Sequence, residues 1–151
     1  MFETPRKINV LFLCTGNSCR SQMAEGWARK LLSDNCVAYS AGIVAHGINP
    51  MAARVMSEVG VDITTQLSQT IEQLPVIAWD MVITVCDNAR EQCPYLPGVA
   101  VTIHHSFDDP PALAKGLTEE ESLKVYRRVR DEIREFVSAL PQYLKPIQQL
   151  V

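Results

Sequence analysis

A cysteine and an arginine separated by five small or polar residues, Cys14-Thr15-Gly16-Asn17-Ser18-Cys19-Arg20, with Ser21 next, follow directly on the apolar run Ile8-Asn9-Val10-Leu11-Phe12-Leu13. At a strand-to-helix junction this spacing suits one kind of chemistry. Gly16 lets the backbone curl, so that successive peptide N–H groups point inward as a nest for a tetrahedral oxyanion, backed by the N-terminus of the next helix. Arg20 closes the cradle with a planar, permanently charged fork that grips two oxygens. Cys14 then lies beneath the anion as a nucleophile, and the same positive field favours its reactive thiolate form. Ser21 is placed to donate to the sulfur. An inert buried cysteine would not need this loop, and a module that only bound anions would not need sulfur where the anion docks.

The bulk composition is compatible with such a site. The 151 residues carry a formal charge of −3, with 47% hydrophobic and 21% charged residues. That is an ordinary globular balance, with no general attraction to nucleic acid or to an anionic membrane. Met1 to Lys7 show no signal-peptide pattern, and the apolar run after them is too short to span a bilayer, so a cytoplasmic location is expected. The five cysteines, Cys14, Cys19, Cys36, Cys86 and Cys93, then read as thiols rather than as a disulfide scaffold. Cys36 reads as a packing residue. No metal is expected: there is no close CxxC pair, and His46, His104 and His105 lack zinc-finger spacing.

The elements that must hold the loop alternate strand and helix, predicting one α/β domain over residues 1–151. Residues 7–13 read as a buried first strand. A helix follows from Ser21, with Met23, Ala24, Trp27, Ala28, Leu31 and Leu32 on one face. Residues 37–40 form a short second strand, ended by Ala41-Gly42. Asn49-Pro50 starts a helix as N-cap and first-turn proline, and Gly60 stops it in a left-handed conformation. A short helix is predicted over 68–74, a third strand over 79–85 and a fourth over 99–104. Asp108-Asp109-Pro110-Pro111 reads as loop, and Ala112 to Thr118 as a mobile rim. The last helix begins at Thr118, which makes a capping box with Glu121, and its core face runs from Leu123 through Tyr126, Val129, Ile133, Phe136 and Val137 to Leu140. Arg127, Arg128, Arg130 and Arg134 read as its solvated face. The predicted architecture is a three-layer sandwich around a four-stranded parallel sheet of order 2-1-3-4. Ligands bind such sheets beyond the carboxyl ends of the strands. The Cys14 loop, Cys86 and the Asp109 loop all leave the sheet at that edge.

The octapeptide CTGNSCRS after a hydrophobic strand, followed by Gln22-Met23-Ala24-Glu25, resembles the low-molecular-weight phosphotyrosine phosphatase fold. More closely, it is similar to arsenate reductases of the thioredoxin-coupled type. The similarity extends through Tyr39-Ser40-Ala41-Gly42, Cys86 and Cys93, and Phe107-Asp108-Asp109-Pro110. It implies reduction of arsenate to arsenite by three cysteines. Cys14 attacks arsenate, with Asp109, the residue before proline, as acid. Cys86 attacks Cys14 and arsenite leaves, and Cys93 then takes over the disulfide. Thr15, Gly16, Asn17, Ser18, Cys19, Arg20 and Ser21 would cradle the oxyanion, with phosphate or sulfate as competitors; Asn17 would order the loop and Ser40 would help. An external thiol reductant is implied, thioredoxin or a glutaredoxin/glutathione system, and no tightly bound cofactor.

The alternative is a phosphatase that hydrolyses phosphate monoesters through a Cys14 phosphoenzyme. Hydrolysis needs one sulfur, whereas reduction needs partner thiols, so Cys86 and Cys93 favour the reductase. The phosphatases also commonly carry an aromatic residue after Asp-Pro, where this chain has Pro111. A third class is a redox-sensing or phosphate-binding regulator on the same fold. Some such reductases hold potassium near the loop, where Asn17, Glu25 and Ser40 would correspond. Leu67 and Gln69 replace the oxygen-bearing and acidic ligands expected downstream, so no tight potassium site is expected. Seven residues of helix separate Cys86 from Cys93 by about 10 Å, and a disulfide needs alpha carbons roughly 4.4–6.8 Å apart. If the segment is helical when reduced, oxidation must unwind it or loop it out.

Overall fold

The computed structural model describes residues 6–92, 96 and 99–148. Its strands are β1 (Ile8–Cys14), β2 (Cys36–Gly42), β3 (Met81–Thr84) and β4 (Val101–His104). Its helices are α1 (Arg20–Leu31), α2 (Pro50–Glu58), α3 (Asp87–Gln92), α4 (Pro110–Leu113), α5 (Glu119–Ser138) and α6 (Pro141–Gln148). All strand pairs are parallel, in the order β2-β1-β3-β4. This is the α/β sheet that the sequence predicts. β1 is buried along nearly its whole length, as a central parallel strand covered on both faces must be. Its register pairs Cys14 with Gly42 and Leu13 with Thr84, so the ends of β1, β2 and β3 share one edge.

Around the sheet, α1, α2 and α5 pack on one another. Asn49 caps α2 by accepting from Met51 N and Ala52 N, and Gly60 follows with φ +79°. Thr118 caps α5 by accepting from Glu121 N at 3.2 Å. Leu123, Tyr126, Val129, Ile133 and Val137 form its buried stripe. Among the described residues no helix is long and apolar enough to cross a membrane.

Several local expectations change. β3 begins at Met81, and Asp80 anchors its start: its backbone N donates to the Asn9 carbonyl, and its carboxylate accepts from Arg6 and from Asn9 N. Burial opposes ionisation of Asp80, yet those donors hold its carboxyl below the usual range. The Asp80 carbonyl takes both Ala100 N and Val101 N, which sets the start of β4. Residues 68–74 hold only a 3-10 turn, Ile71–Gln73. Pro110 and Pro111 open α4 instead of lying in a loop, since proline in a first turn forfeits no helical bond. α6 was not predicted; Pro141 and Pro146 disguise it, although Leu144 and Ile147 are buried.

One arginine of α5 leaves the expected solvated face. Arg130 is buried, donating to the Val55 carbonyl and to Glu58 and fastening α5 to α2. Arg127 grips both oxygens of Glu58, and these bonds hold the Glu58 carboxyl down at about 2. Arg134 lies over the Trp27 ring at 5.4 Å, a cation–π contact, while the indole N–H donates to the Arg130 carbonyl.

Candidate active site

The loop between β1 and α1 is shaped by where its carbonyls go. Thr15 O accepts from Val44 N at 3.0 Å, Gly16 O from His46 N at 2.9 Å and Ser18 O from Asn49 N at 2.9 Å. Asn17 O accepts from Gln22 Nε2 and Ser68 Oγ. A peptide plane points its N–H opposite to its carbonyl. Tying four successive carbonyls outward therefore turns the following N–H groups toward the inside of the curl, which is the geometry of an anion nest. The first turn of α1 carries no acidic residue, leaving the positive end of its dipole to the same spot.

The left-handed residue of this curl is Asn17, at φ +45°, not Gly16. Gly16 instead approaches a side chain closely: a Cβ there would lie 2.5 Å from Cδ2 of the exposed His46 ring, which would have to turn aside. Gly42, across the ladder from Cys14, is more tightly constrained, because a Cβ would meet backbone atoms, Asn17 N at 2.7 Å and Thr15 O at 2.8 Å.

Asn17 also sets the direction of protons at the nucleophile. Gln69 N can only donate, so the atom it meets at 2.8 Å is Asn17 Oδ1. Asn17 Nδ2 consequently donates to Ser21 Oγ at 2.8 Å. When Cys14 is a thiolate it can only accept, so the Ser21 hydroxyl then donates to its Sγ, 2.7 Å away. Three buried side chains thus form a donor chain that ends on sulfur.

Arg20, the first residue of α1, is aimed by the Phe107 carbonyl, which accepts from it at 3.0 Å. Its Nη2 stands 3.7 Å from Asp109 Oδ1. Asp109 is 46% exposed at the edge of a cavity of about 370 Å³, which Cys14, Arg20, His46, Asn49 and Pro111 also line. Asp108 turns the other way, to Arg128 on α5. Of the two neighbouring carboxylates, Asp109 is therefore the one at the cradle.

Cys86 follows β3 and is buried behind the loop. Its Sγ lies 3.3 Å from Thr15 Oγ1 and accepts from Ala89 N at 3.4 Å, while Asn88 Nδ2 donates to the same Thr15 hydroxyl. Cys93 lies outside the described residues. Burial, with the neighbouring Cys14 adding to it, pushes the Cys19 thiol far above its ordinary range. Burial likewise raises Cys36 to about 11. Both are held as neutral thiols and so are poor nucleophiles, Cys19 within the loop and Cys36 at the far end of the β1–β2 ladder.

The residues named for potassium are bonded among themselves and to their neighbours. Ser40 Oγ donates to Glu25 Oε1 at 2.6 Å, and Arg29 pairs with Oε2. Gln69 donates with Nε2 to the Ser40 carbonyl and with its backbone N to Asn17 Oδ1. The oxygens that would face a cation are thus occupied by N–H and O–H donors. Burial raises the Glu25 carboxyl even against those bonds.

His46, Asn49 and Pro111 join the cavity wall without having been singled out for it. Asn49 was recognisable only as a helix cap, and its Nδ2 also donates to Tyr126 Oη at 3.1 Å. Only the chain's reversal after Gly42 brings residues 44–49 along the loop, and no local pattern encodes that. His105 stacks on Phe107 and meets Phe136 at a tilt, and it does not line the cavity over Cys14.

Comparison with known proteins agrees with this geometry. The family model described as low molecular weight phosphotyrosine protein phosphatase matches residues 9–149. An arsenate reductase of Halalkalibacterium halodurans is 54% identical over 124 residues, 82% of this chain and 88% of its own. One from Bacillus subtilis is 52% identical over 124 residues, again 82% and 88%. A solved arsenate reductase in the phosphate binding state superposes with a TM-score of 0.74 and 33% identity, covering 91% of this chain and 98% of that one.

Proposed function

The chain belongs to the low molecular weight phosphotyrosine protein phosphatase family, and from that premise we propose that it reduces arsenate to arsenite by a thiol relay rather than hydrolysing phosphate esters. One observation carries the choice: a second buried thiol, Cys86, reaches the loop residue next to the nucleophile, 3.3 Å from Thr15 Oγ1. Hydrolysis has no use for it. The similarity to proteins named arsenate reductase, at about half of the aligned residues, supports the same reading.

In the proposed sequence the loop amides and Arg20 hold arsenate over Cys14. The Cys14 thiolate forms a sulfur–arsenic bond, and one arsenate oxygen leaves as water with a proton delivered by Asp109. The Cys86 thiolate then attacks Cys14 Sγ. A sulfur–sulfur bond forms, the sulfur–arsenic bond breaks, and its electron pair stays on arsenic. Arsenic falls from As(V) to As(III) and leaves as arsenite, while two thiols have become a disulfide. Cys93 attacks Cys86 Sγ next, forming Cys86–Cys93 and releasing the Cys14 thiolate with no net change in oxidation state. An external dithiol, thioredoxin in the proposed cycle, accepts the oxidation and resets the enzyme. Phosphate and sulfate compete for the cradle, but neither completes the second step.

The test couples the protein to thioredoxin, thioredoxin reductase and NADPH and follows arsenate-dependent NADPH oxidation, with glutaredoxin and glutathione as a second arm. Cys14→Ser, Cys86→Ser and Cys93→Ser should each abolish multiple turnover. Full turnover by Cys86→Ser or Cys93→Ser would remove the relay. Phosphate release from an aryl phosphate at comparable rates, without arsenate reduction, would restore the phosphatase reading.

A further inference from the structure

A three-residue hydrogen-bond network outside the cradle holds the segment that carries Cys86. Thr84, buried at the end of β3, lies 2.7 Å from His104 Nδ1 through its hydroxyl. On the other side of the ring, His104 Nε2 meets Asp87 Oδ1 at 2.9 Å. One proton position follows from chemistry alone: a carboxylate only accepts, so Nε2 carries a proton. Nδ1 accepts from the Thr84 hydroxyl in the neutral ring and donates to it in the charged one. Both ring nitrogens are partnered in either state. Asp87 is the first residue of α3 and directly follows Cys86, and His104 is the last residue of β4. The network therefore ties the first turn of α3 to the sheet. The tie is local: α3 has six residues, too short to be stable without tertiary contacts.

We propose that His104 is a positioning residue that latches α3 through Asp87, keeping the helix wound while Cys86 is engaged at the loop and opening when the helix unwinds. The timing half of this statement rests on the relay proposed above. Residues Asp87–Gln92 are helical here, so a Cys86–Cys93 bond requires them to rearrange. The latch joins the moving segment to a strand that stays in the sheet, so its hydrogen bond must break in that step and not in the earlier ones.

The test begins on reduced, arsenate-free protein, where backbone hydrogen exchange across residues 87–92 reports how often α3 opens. Losing one partly exposed hydrogen bond of this type should raise opening about two- to tenfold in His104→Ala and in Asp87→Ala. The double variant should exchange no faster than either single one, because both remove the same bond. Asp87→Asn retains an acceptor for Nε2–H and should stay near the unsubstituted protein. In single turnovers with arsenate, His104→Ala should form Cys86–Cys93 faster by a similar factor, with the rate of arsenite release unchanged. Unchanged exchange at residues 87–92, additive effects in the double variant, or an equal rise throughout the protein would overturn the latch. If the unsubstituted protein forms no Cys86–Cys93 disulfide, the relay fails instead, and the exchange arm still judges the latch by itself.

Discussion

Replacing Asn17 by aspartate preserves the shape of the side chain and reverses one hydrogen bond. Gln69 N keeps its acceptor, but the atom facing Ser21 Oγ becomes a carboxylate oxygen, which can only accept. Ser21 has a single hydroxyl proton, so it turns from the sulfur to the new carboxylate. Cys14 Sγ loses the donor at 2.7 Å and gains a buried negative charge nearby. A hydrogen bond to a charged group is worth about 1.5–3 kcal/mol, so the reactivity of Cys14 should fall roughly 10- to 150-fold. Ser21→Ala removes the same donor without adding charge and should fall toward the lower end of that range. It also leaves Asn17 Nδ2 without its acceptor, so the melting temperature should drop. The assay is the second-order rate of iodoacetamide alkylation at pH 7, read by mass spectrometry on the Cys14 peptide, beside single-turnover arsenite release. Alkylation of Asn17→Asp within about threefold of the unsubstituted protein, at unchanged melting temperature, would refute the donor-chain argument.

Other perturbations probe the frame around the site. Gly42→Ala should lower arsenate turnover at least about tenfold and cost about 1–3 kcal/mol of stability, because the new methyl meets backbone atoms of Asn17 and Thr15 that cannot swing away. Wild-type turnover by that variant would show that the loop tolerates displacement. Glu58 has its carboxyl depressed to about 2 from 4.5, so its contribution is present above pH 4.5 and lost as the pH falls through about 2. The side chain is one-third exposed, which reduces that contribution to about 1 kcal/mol. Urea midpoints at pH 5 and pH 3 should accordingly diverge less in Glu58→Gln than in the unsubstituted protein. Arg130→Ala leaves the buried Val55 carbonyl without this donor, while Arg127 still holds Glu58, and should cost about 1–3 kcal/mol in the same urea assay.

What the sequence revealed of this site was its contiguous part. CTGNSCRS carries nucleophile, nest and arginine within one turn of chain, so spacing alone is informative. Its internal division of labour was less visible. Asn17 tolerates the left-handed conformation that one would first give to Gly16, and Gly16 is constrained by His46, a residue thirty positions away. Arg130 shares its amphipathic helix with exposed arginines, and only the packing of α2 against α5 shows that it is buried. The same holds for α4 and α6, whose prolines signal a break locally while first-turn placement and buried Leu144 and Ile147 decide otherwise. Asp108 and Asp109 are equivalent by type, and separate only when Arg128 and Arg20 draw them in opposite directions.

The outward-tied carbonyls of residues 15–18 have a consequence for selectivity. A rim of fixed N–H groups measures charge and tetrahedral shape, and arsenate and phosphate present nearly the same of both. Docking is therefore a poor filter, and in a phosphate-rich medium most encounters are with the wrong anion. Under the proposed relay, discrimination would come from kinetic partitioning: phosphate can only leave as it came, whereas arsenate would be drained forward once a second sulfur removed the bond behind it. A preference for arsenate would then be a property of commitment, set by how quickly Cys86 acted relative to the anion's departure.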